Sequence, residues 1–135
     1  MPGPARAGAG ALIYAKDLGL LTHFYRTLLQ MDIRSQEAGF VVMENHDIQL
    51  LIHAIPESIA CDIDIQVPPI LREEGAIKLF FTVPSLAWAE AKAADLGGGL
   101  LPQQWPGPGL VLRNAFDPEG NILQLRELLT TPDPL

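Results

Sequence analysis

The side chains able to do metal, nucleophilic or acid–base chemistry are few and scattered. The three histidines are His23, His46 and His53. No pair is spaced H-x-H or H-x-x-x-H, the spacings that aim two imidazoles at one ion from a strand or a helix. His23 falls in an amphipathic segment and His46 in a polar turn, where solvated or hydrogen-bonded roles suit them. His53 lies on an apolar strand segment and is the better site candidate. Cys61, the single cysteine, adjoins Asp62, whose carboxylate opposes thiolate formation, so it reads as an inert thiol. No serine stands in a G-x-S-x-G turn and no glycine-rich phosphate loop precedes a helix. What remains are isolated polar groups in alternating apolar segments: Gln49, Lys78, Gln124 and Arg126.

The elements that would position these groups fall into two runs of the same order. A strand at 11–16 precedes Asp17, a plausible N-cap for the helix DLGLLTHFYRTLLQM. Leu18, Leu21, Phe24, Tyr25, Leu28 and Leu29 recur at three- and four-residue spacings and give that helix one apolar face. Strands are expected at 32–36, 40–43 and 48–53, with ENHD as the turn before the last. The second run begins with a strand at 77–83 and a helix SLAWAEAKAADLGGG capped by Ser85 and ended by glycines from Gly97. Strands at 99–103, 110–115 and 122–127 follow, the last two joined by the turn DPEGN. Between the runs, PESIACDIDIQVPPILREEGA reads as a connector, although CDIDIQV alternates and is compatible with a short edge strand.

Two stretches carry a family resemblance over roughly residues 10–128. KDLGLLTHFYRTLLQM resembles the D-L-x-x-S-x-x-F-Y-x-x-x-L-G-M run, and AWAEAKAADLGGGLLPQQWPGPGLVLRNAFDPEGNILQL resembles the helix–GG–strand–D-P-D-G-N run, of the vicinal-oxygen-chelate superfamily. This is the glyoxalase/bleomycin-resistance/extradiol-dioxygenase group. The resemblance implies an α+β fold of two βαβββ modules forming a curled mixed sheet around a shared cleft. One domain over 10–130 is expected, with module one at 10–55, a connector at 56–75 and module two at 76–130. A loose leader at 1–9 and a tail at 131–135 flank it. It also implies a homodimer, in some members built by exchanging modules.

Metal-dependent members of the group resembled take a ligand from the first and last strand of each module, usually His or Glu. Carried onto this sequence, those seats are Gly10, Gln49, Lys78 and Gln124. Glycine offers no donor, lysine repels a cation, and two neutral amides are weak oxygen ligands for a divalent ion that needs anionic or imidazole partners. Neither a metal site nor a cofactor is therefore expected. Glu127 has the opposite strand parity to Gln124 and should point away from the cleft.

Parity sorts the remaining strand residues. Ile48, Leu50, Ile52, Leu79, Phe81, Val83, Leu123 and Leu125 should pack under the helices. Leu12 and Tyr14; Gln49, Leu51 and His53; Lys78, Phe80 and Thr82; and Ile122, Gln124 and Arg126 should line the cleft. Apolar walls with a few polar groups make a small-molecule pocket. Lys78 and Arg126, with no acid of the same parity, favour an anionic or electron-rich oxygen. Trp105, expected on a loop QQWPGPG, could cover a flat ligand by stacking. The expected ligand-binding set is Tyr14, Gln49, His53, Lys78, Phe80, Trp105, Gln124 and Arg126.

Bulk properties bound the remaining classes. With 135 residues, 48% apolar and 19% charged, the chain is the size of one domain with a real core. A net charge of −7 and the lack of a Lys/Arg cluster argue against nucleic acid as a partner. No apolar run approaches the roughly 18 residues of a membrane span, and MPGPARAGAGA lacks the apolar core of a signal peptide. One cysteine fits a reducing compartment, so the cytoplasm is expected. The function expected is that of a glyoxalase/bleomycin-resistance-like protein that sequesters or carries an anionic or aromatic small molecule without metal. The alternative is a lyase, isomerase or dioxygenase with displaced metal ligands, or with Lys78 or His53 as acid or base. For a purely structural or regulatory module the sequence offers no positive feature.

Overall fold

The computed structural model describes residues 7–129, so parts of the expected leader and tail lie outside the described residues. The chain divides into two compact units between Gln66 and Val67, inside the expected connector.

In the first unit β1 (Gly10–Ala15) leads to α1 (Leu18–Leu28), followed by β2 (Asp32–Glu37), β3 (Phe40–Glu44) and β4 (Gln49–Ala54). Asp17 caps α1 by accepting the Leu20 amide at 3.0 Å. The apolar stripe of α1 buries Leu21, Phe24, Tyr25 and Leu28. These pack on Val41, Met43, Leu50 and Ile52, which the antiparallel β3–β4 register sets on one face. The ENHD turn closes through Asn45, whose side-chain oxygen accepts the Asp47 and Ile48 amides. The sheet order is β1-β4-β3-β2, with β1 parallel to β4.

The second unit repeats this topology. It contains β5 (Phe80–Thr82), α3 (Leu86–Asp95), β6 (Gly99–Gly107), β7 (Leu110–Phe116) and β8 (Ile122–Leu128), ordered β5-β8-β7-β6 with β5 parallel to β8. Ser85 caps α3 through the Trp88 amide. Glu127 adds a second acceptor there, taking the Leu86 amide at 2.7 Å, so it faces the helix as strand parity required. Leu86, Ala89 and Ala93 of α3 pack over a buried layer of Phe81, Val83, Ala115, Leu123 and Leu125. The fold is thus α+β, with two four-stranded mixed sheets of identical strand order, neither closed into a barrel.

Three sequence expectations are corrected. QQWPGPG is largely strand rather than loop, because β6 continues to Gly107. Two prolines fit there because β6 is an edge strand, where a missing N–H faces solvent. The register slip between Leu100 and Gln104 absorbs Pro102. The strand expected at 77–83 shrinks to Phe80–Thr82, and Ile77, outside it, is 82% exposed. CDIDIQV forms no strand; the connector instead starts with a single helical turn, α2 (Glu57–Ala60), after Pro56.

The DPEGN turn behaves as its residues dictate. Buried Asp117 accepts the amides of Glu119 and Asn121 and the Asn121 side-chain amide at 2.9, 3.1 and 2.8 Å. Gly120 has φ +88°, and the Ile70 carbonyl approaches where a side chain would begin. The connector is tied down at that point: Arg72 donates its amide to Gly120 O and its Nε to Glu119 O, at 2.9 and 3.2 Å.

Candidate functional site

Cross-strand register assembles the second sheet's open face. Phe80 pairs with Gln124, which pairs with Asn114; Thr82 pairs with Arg126, Arg126 with Leu112, and Leu112 with Trp105. Partners in register project to the same side, so two adjacent rows carry Trp105, Leu112, Arg126 and Thr82, then Asn114, Gln124 and Phe80. Trp105 therefore stands on the sheet face beside Leu112. It does not hang over that face from a loop.

Arg126 is the organising side chain. Its guanidinium lies 3.7 Å from the Phe80 ring centroid, and its Nε donates to Gln124 Oε1 at 3.3 Å. The stacking, worth about 0.5–1 kcal/mol at an exposed site, holds the planar fork without using its terminal nitrogens. Those nitrogens have no protein partner among the described residues. Lys78 lies one step before β5 and donates to Asn114 Oδ1 at 3.4 Å. Phe80 remains 57% exposed, while Trp105, Leu112, Gln124 and Arg126 are half-buried. The result is a surface with an exposed Phe80 ring and a half-buried Trp105 alongside a forked cation, suited to a flat ligand with an acceptor oxygen.

The corresponding face of the first sheet holds the other expected residues. Tyr14, His53 and Phe40 form one row, with His53 edge-on to Tyr14 at 5.8 Å and stacked on Phe40 at 6.3 Å. His53 Nδ1 donates to the Ala54 carbonyl at 2.8 Å, which leaves Nε2 as the acceptor of the neutral ring. His23 and His46 are exposed and lie on other elements.

Two rows further along, Gly10, Gln49 and Glu44 are in register. Glu44 is fully buried; Gln49 Nε2 donates to it at 3.4 Å, the Ala7 amide at 3.2 Å, and Arg34 Nε lies 3.6 Å from its other oxygen. Phe40 and Glu44, which the sequence alone does not single out, alternate along β3 with buried Val41 and Met43. The turn at 45–48 that fixes the β3–β4 register would have revealed both.

The seats where the resembled enzymes hold metal do not fit a divalent ion. A side chain at Gly10 would put its Cβ 2.7 Å from the Gln49 carbonyl, so no ligand residue fits there without moving a strand. In the second sheet the residue in register with Gln124 is Phe80, not Lys78. Within each sheet, taken by itself, the pair in register is Gly10 with Gln49 and Phe80 with Gln124, and neither pair supplies an anionic or imidazole donor. Among the described residues no group of three His, Cys, Asp or Glu side chains could hold a metal.

Behind the sheet, Arg113 donates to Leu101 O and to Glu90 on α3 at 3.0 Å each. The Arg113 hydrogen bond, then its charge, hold the Glu90 carboxyl below the usual range.

No family model matches the sequence, and no curated protein matches it significantly. Solved structures do match. A glyoxalase/bleomycin resistance protein/dioxygenase family enzyme from Burkholderia phytofirmans PsJN aligns with a TM-score of 0.65 at 13% identity, over 90% of this chain and 98% of its own. A glyoxalase/bleomycin resistance protein from Albidiferax ferrireducens T118 aligns with a TM-score of 0.63 at 18% identity, over 88% and 96%. A bleomycin resistance determinant encoded on the transposon Tn5 aligns with a TM-score of 0.54 at 20% identity, over 89% and 96%. At these identities the likeness speaks to architecture, and it agrees with the duplicated topology: the chain has the vicinal-oxygen-chelate fold of the glyoxalase/bleomycin-resistance/dioxygenase structures.

Proposed function

We propose that this chain is a small-molecule-binding protein of the glyoxalase/bleomycin-resistance type that works without metal. It sequesters or carries a flat ligand bearing an acceptor oxygen. The observation that carries this reading is the Arg126 guanidinium, stacked on Phe80 and braced by Gln124 on a face that also presents Trp105. A cation fixed this way has lost much of its rotamer freedom before a ligand arrives, and its terminal nitrogens remain to donate to an acceptor oxygen of the ligand. Support for a metal-free mode comes from the donor chemistry at Gly10, Gln49, Phe80 and Gln124. The protein would work as a homodimer in the cytoplasm, without nucleic-acid or membrane partners. The net charge of −7 and the absence of any helix long and apolar enough to cross a membrane, among the described residues, are compatible with that.

The test is a thermal-shift screen of aromatic carboxylates in EDTA, followed by titration of the hits, because a ligand that binds only the folded state raises Tm by mass action. Arg126→Ala should weaken a hit at least tenfold while the unliganded Tm stays close to that of the parent. A hit that binds Arg126→Ala and Trp105→Ala as well as the parent would place the ligand elsewhere and remove the reading.

A further inference from the structure

Adjoining the aromatic row, the second unit has a cavity of about 490 Å³ lined by Arg72, Glu73, Lys78, Asn114 and Asn121, with Ile77, Ile122 and Leu101 as apolar wall. Its polar groups are mostly donors left over from structural contacts. Arg72 uses its backbone amide and Nε on the DPEGN turn, which fixes the guanidinium and leaves both terminal nitrogens without a protein partner among the described residues. Lys78 spends one N–H on Asn114 Oδ1, which leaves the Asn114 amide nitrogen as a further donor. Asn121 is oriented by its own bond to Asp117. Glu73 forms no ion pair with either cation among the described residues. In a chain of net charge −7, a lining of two cations against the single carboxylate of Glu73 keeps a formal excess of one positive charge, with amide N–H donors beside it.

We propose that this cavity binds the anionic group of the ligand, a carboxylate or a phosphate, through Arg72, Lys78 and the Asn114 amide. This deepens the reading of the second sheet as a ligand face and rests on it for the identity of the rest of the molecule. Lys78 and Phe80 are two residues apart, about 7 Å along an extended chain. An acid group in the cavity thus lies within reach of a ring resting on Phe80. The ligand class that satisfies both is an aromatic acid or an aryl phosphate, longer than one ring and carrying its charge at one end. Arg72 comes from the connector, so the segment between the modules is part of the site.

Side-chain and backbone 1H–15N NMR of the intact chain, titrated separately with inorganic phosphate, acetate and neutral indole, tests this. One or both ions should shift the Asn114 and Arg72 side-chain signals saturably, and the stronger of the two assigns the group. Lys78→Gln and Arg72→Gln should each weaken that ion at least tenfold, whereas Arg26→Gln, which removes an equal charge from α1, should not. Arg72→Gln could loosen the turn it braces; Lys78→Gln touches no backbone contact and keeps the test decisive. Absence of saturable shifts with either ion, or unchanged affinity in Lys78→Gln, overturns the anion site. Indole signals at Phe80 and Trp105 in that same experiment would show the ligand face standing without it. Ion binding with no aromatic probe bound at Phe80 would retain the cavity and remove the aromatic reading.

Discussion

Arg126 shows how one side chain is held by weak contacts that leave its strongest donors unused. The ring of Phe80 and the amide oxygen of Gln124 fix the guanidinium plane. Phe80→Leu should therefore leave the charge in place but release its geometry. Removing the ring forfeits about 0.5–1 kcal/mol of cation–π interaction, and affinity for an aromatic carboxylate, read by calorimetry, should fall several-fold further from loss of the stacking surface. An unchanged affinity would show that the ring does not position Arg126. Glu90 offers a residue-level test of pH dependence. Arg113 lowers its folded pKa, so the pair's contribution is present above the ordinary carboxylate range and is lost as pH falls through the depressed value. Glu90→Gln should thus differ from the parent in Tm at pH 7 by a small amount that vanishes on acidification below the carboxylate range. Glu90 is exposed, so solvent screening keeps that difference small. A difference that grows with acid would contradict the assignment.

At the scale of elements, legibility tracked how local the causes were. Asp17 and Ser85 announce α1 and α3 because capping uses groups within three residues. The DPEGN turn is equally local, and it sets the parity that puts Gln124 and Arg126 on one face with Phe80. What was not legible depends on neighbours distant in sequence. The edge position of β6 lets a Pro/Gly-rich segment extend as strand, and nothing within QQWPGPG announces an edge. β5 starts at Phe80 opposite Gln124, although β8 itself begins at Ile122, and this register makes Phe80 rather than Lys78 the partner of Gln124. Asn114 was within reach, since the DPEGN turn pairs it opposite Gln124; Arg72 was not, because its place depends on the connector lying against the Gly120 carbonyl. That packing makes Gly120 intolerant. Gly120→Ala combines φ +88° with a clash against the Ile70 carbonyl and should destabilise by about 1–3 kcal/mol or more in chemical denaturation. Gly109 has φ +70° but open space around it, so Gly109→Ala should be the milder change. Equal losses would show that the connector does not press on the turn.

For the molecule as a whole, two units with the same strand order carry unlike chemistry on their open faces. The first presents Tyr14, His53 and Phe40 with a buried carboxylate at Glu44; the second presents rings and cations. The proposed homodimer should sediment at twice the 14.7 kDa chain mass in analytical ultracentrifugation, and a monomer at high concentration would exclude it. The central claim is binding of an aromatic acid at the Arg126 face with no metal involved. Its most direct measurement is calorimetric titration of an aromatic carboxylate hit into protein stripped with EDTA, repeated after adding Mn²⁺, Ni²⁺, Zn²⁺ or Fe²⁺. The affinity should be the same in every case and should fall at least tenfold in Arg126→Ala. Binding that appears only when one of these metals is restored would contradict it.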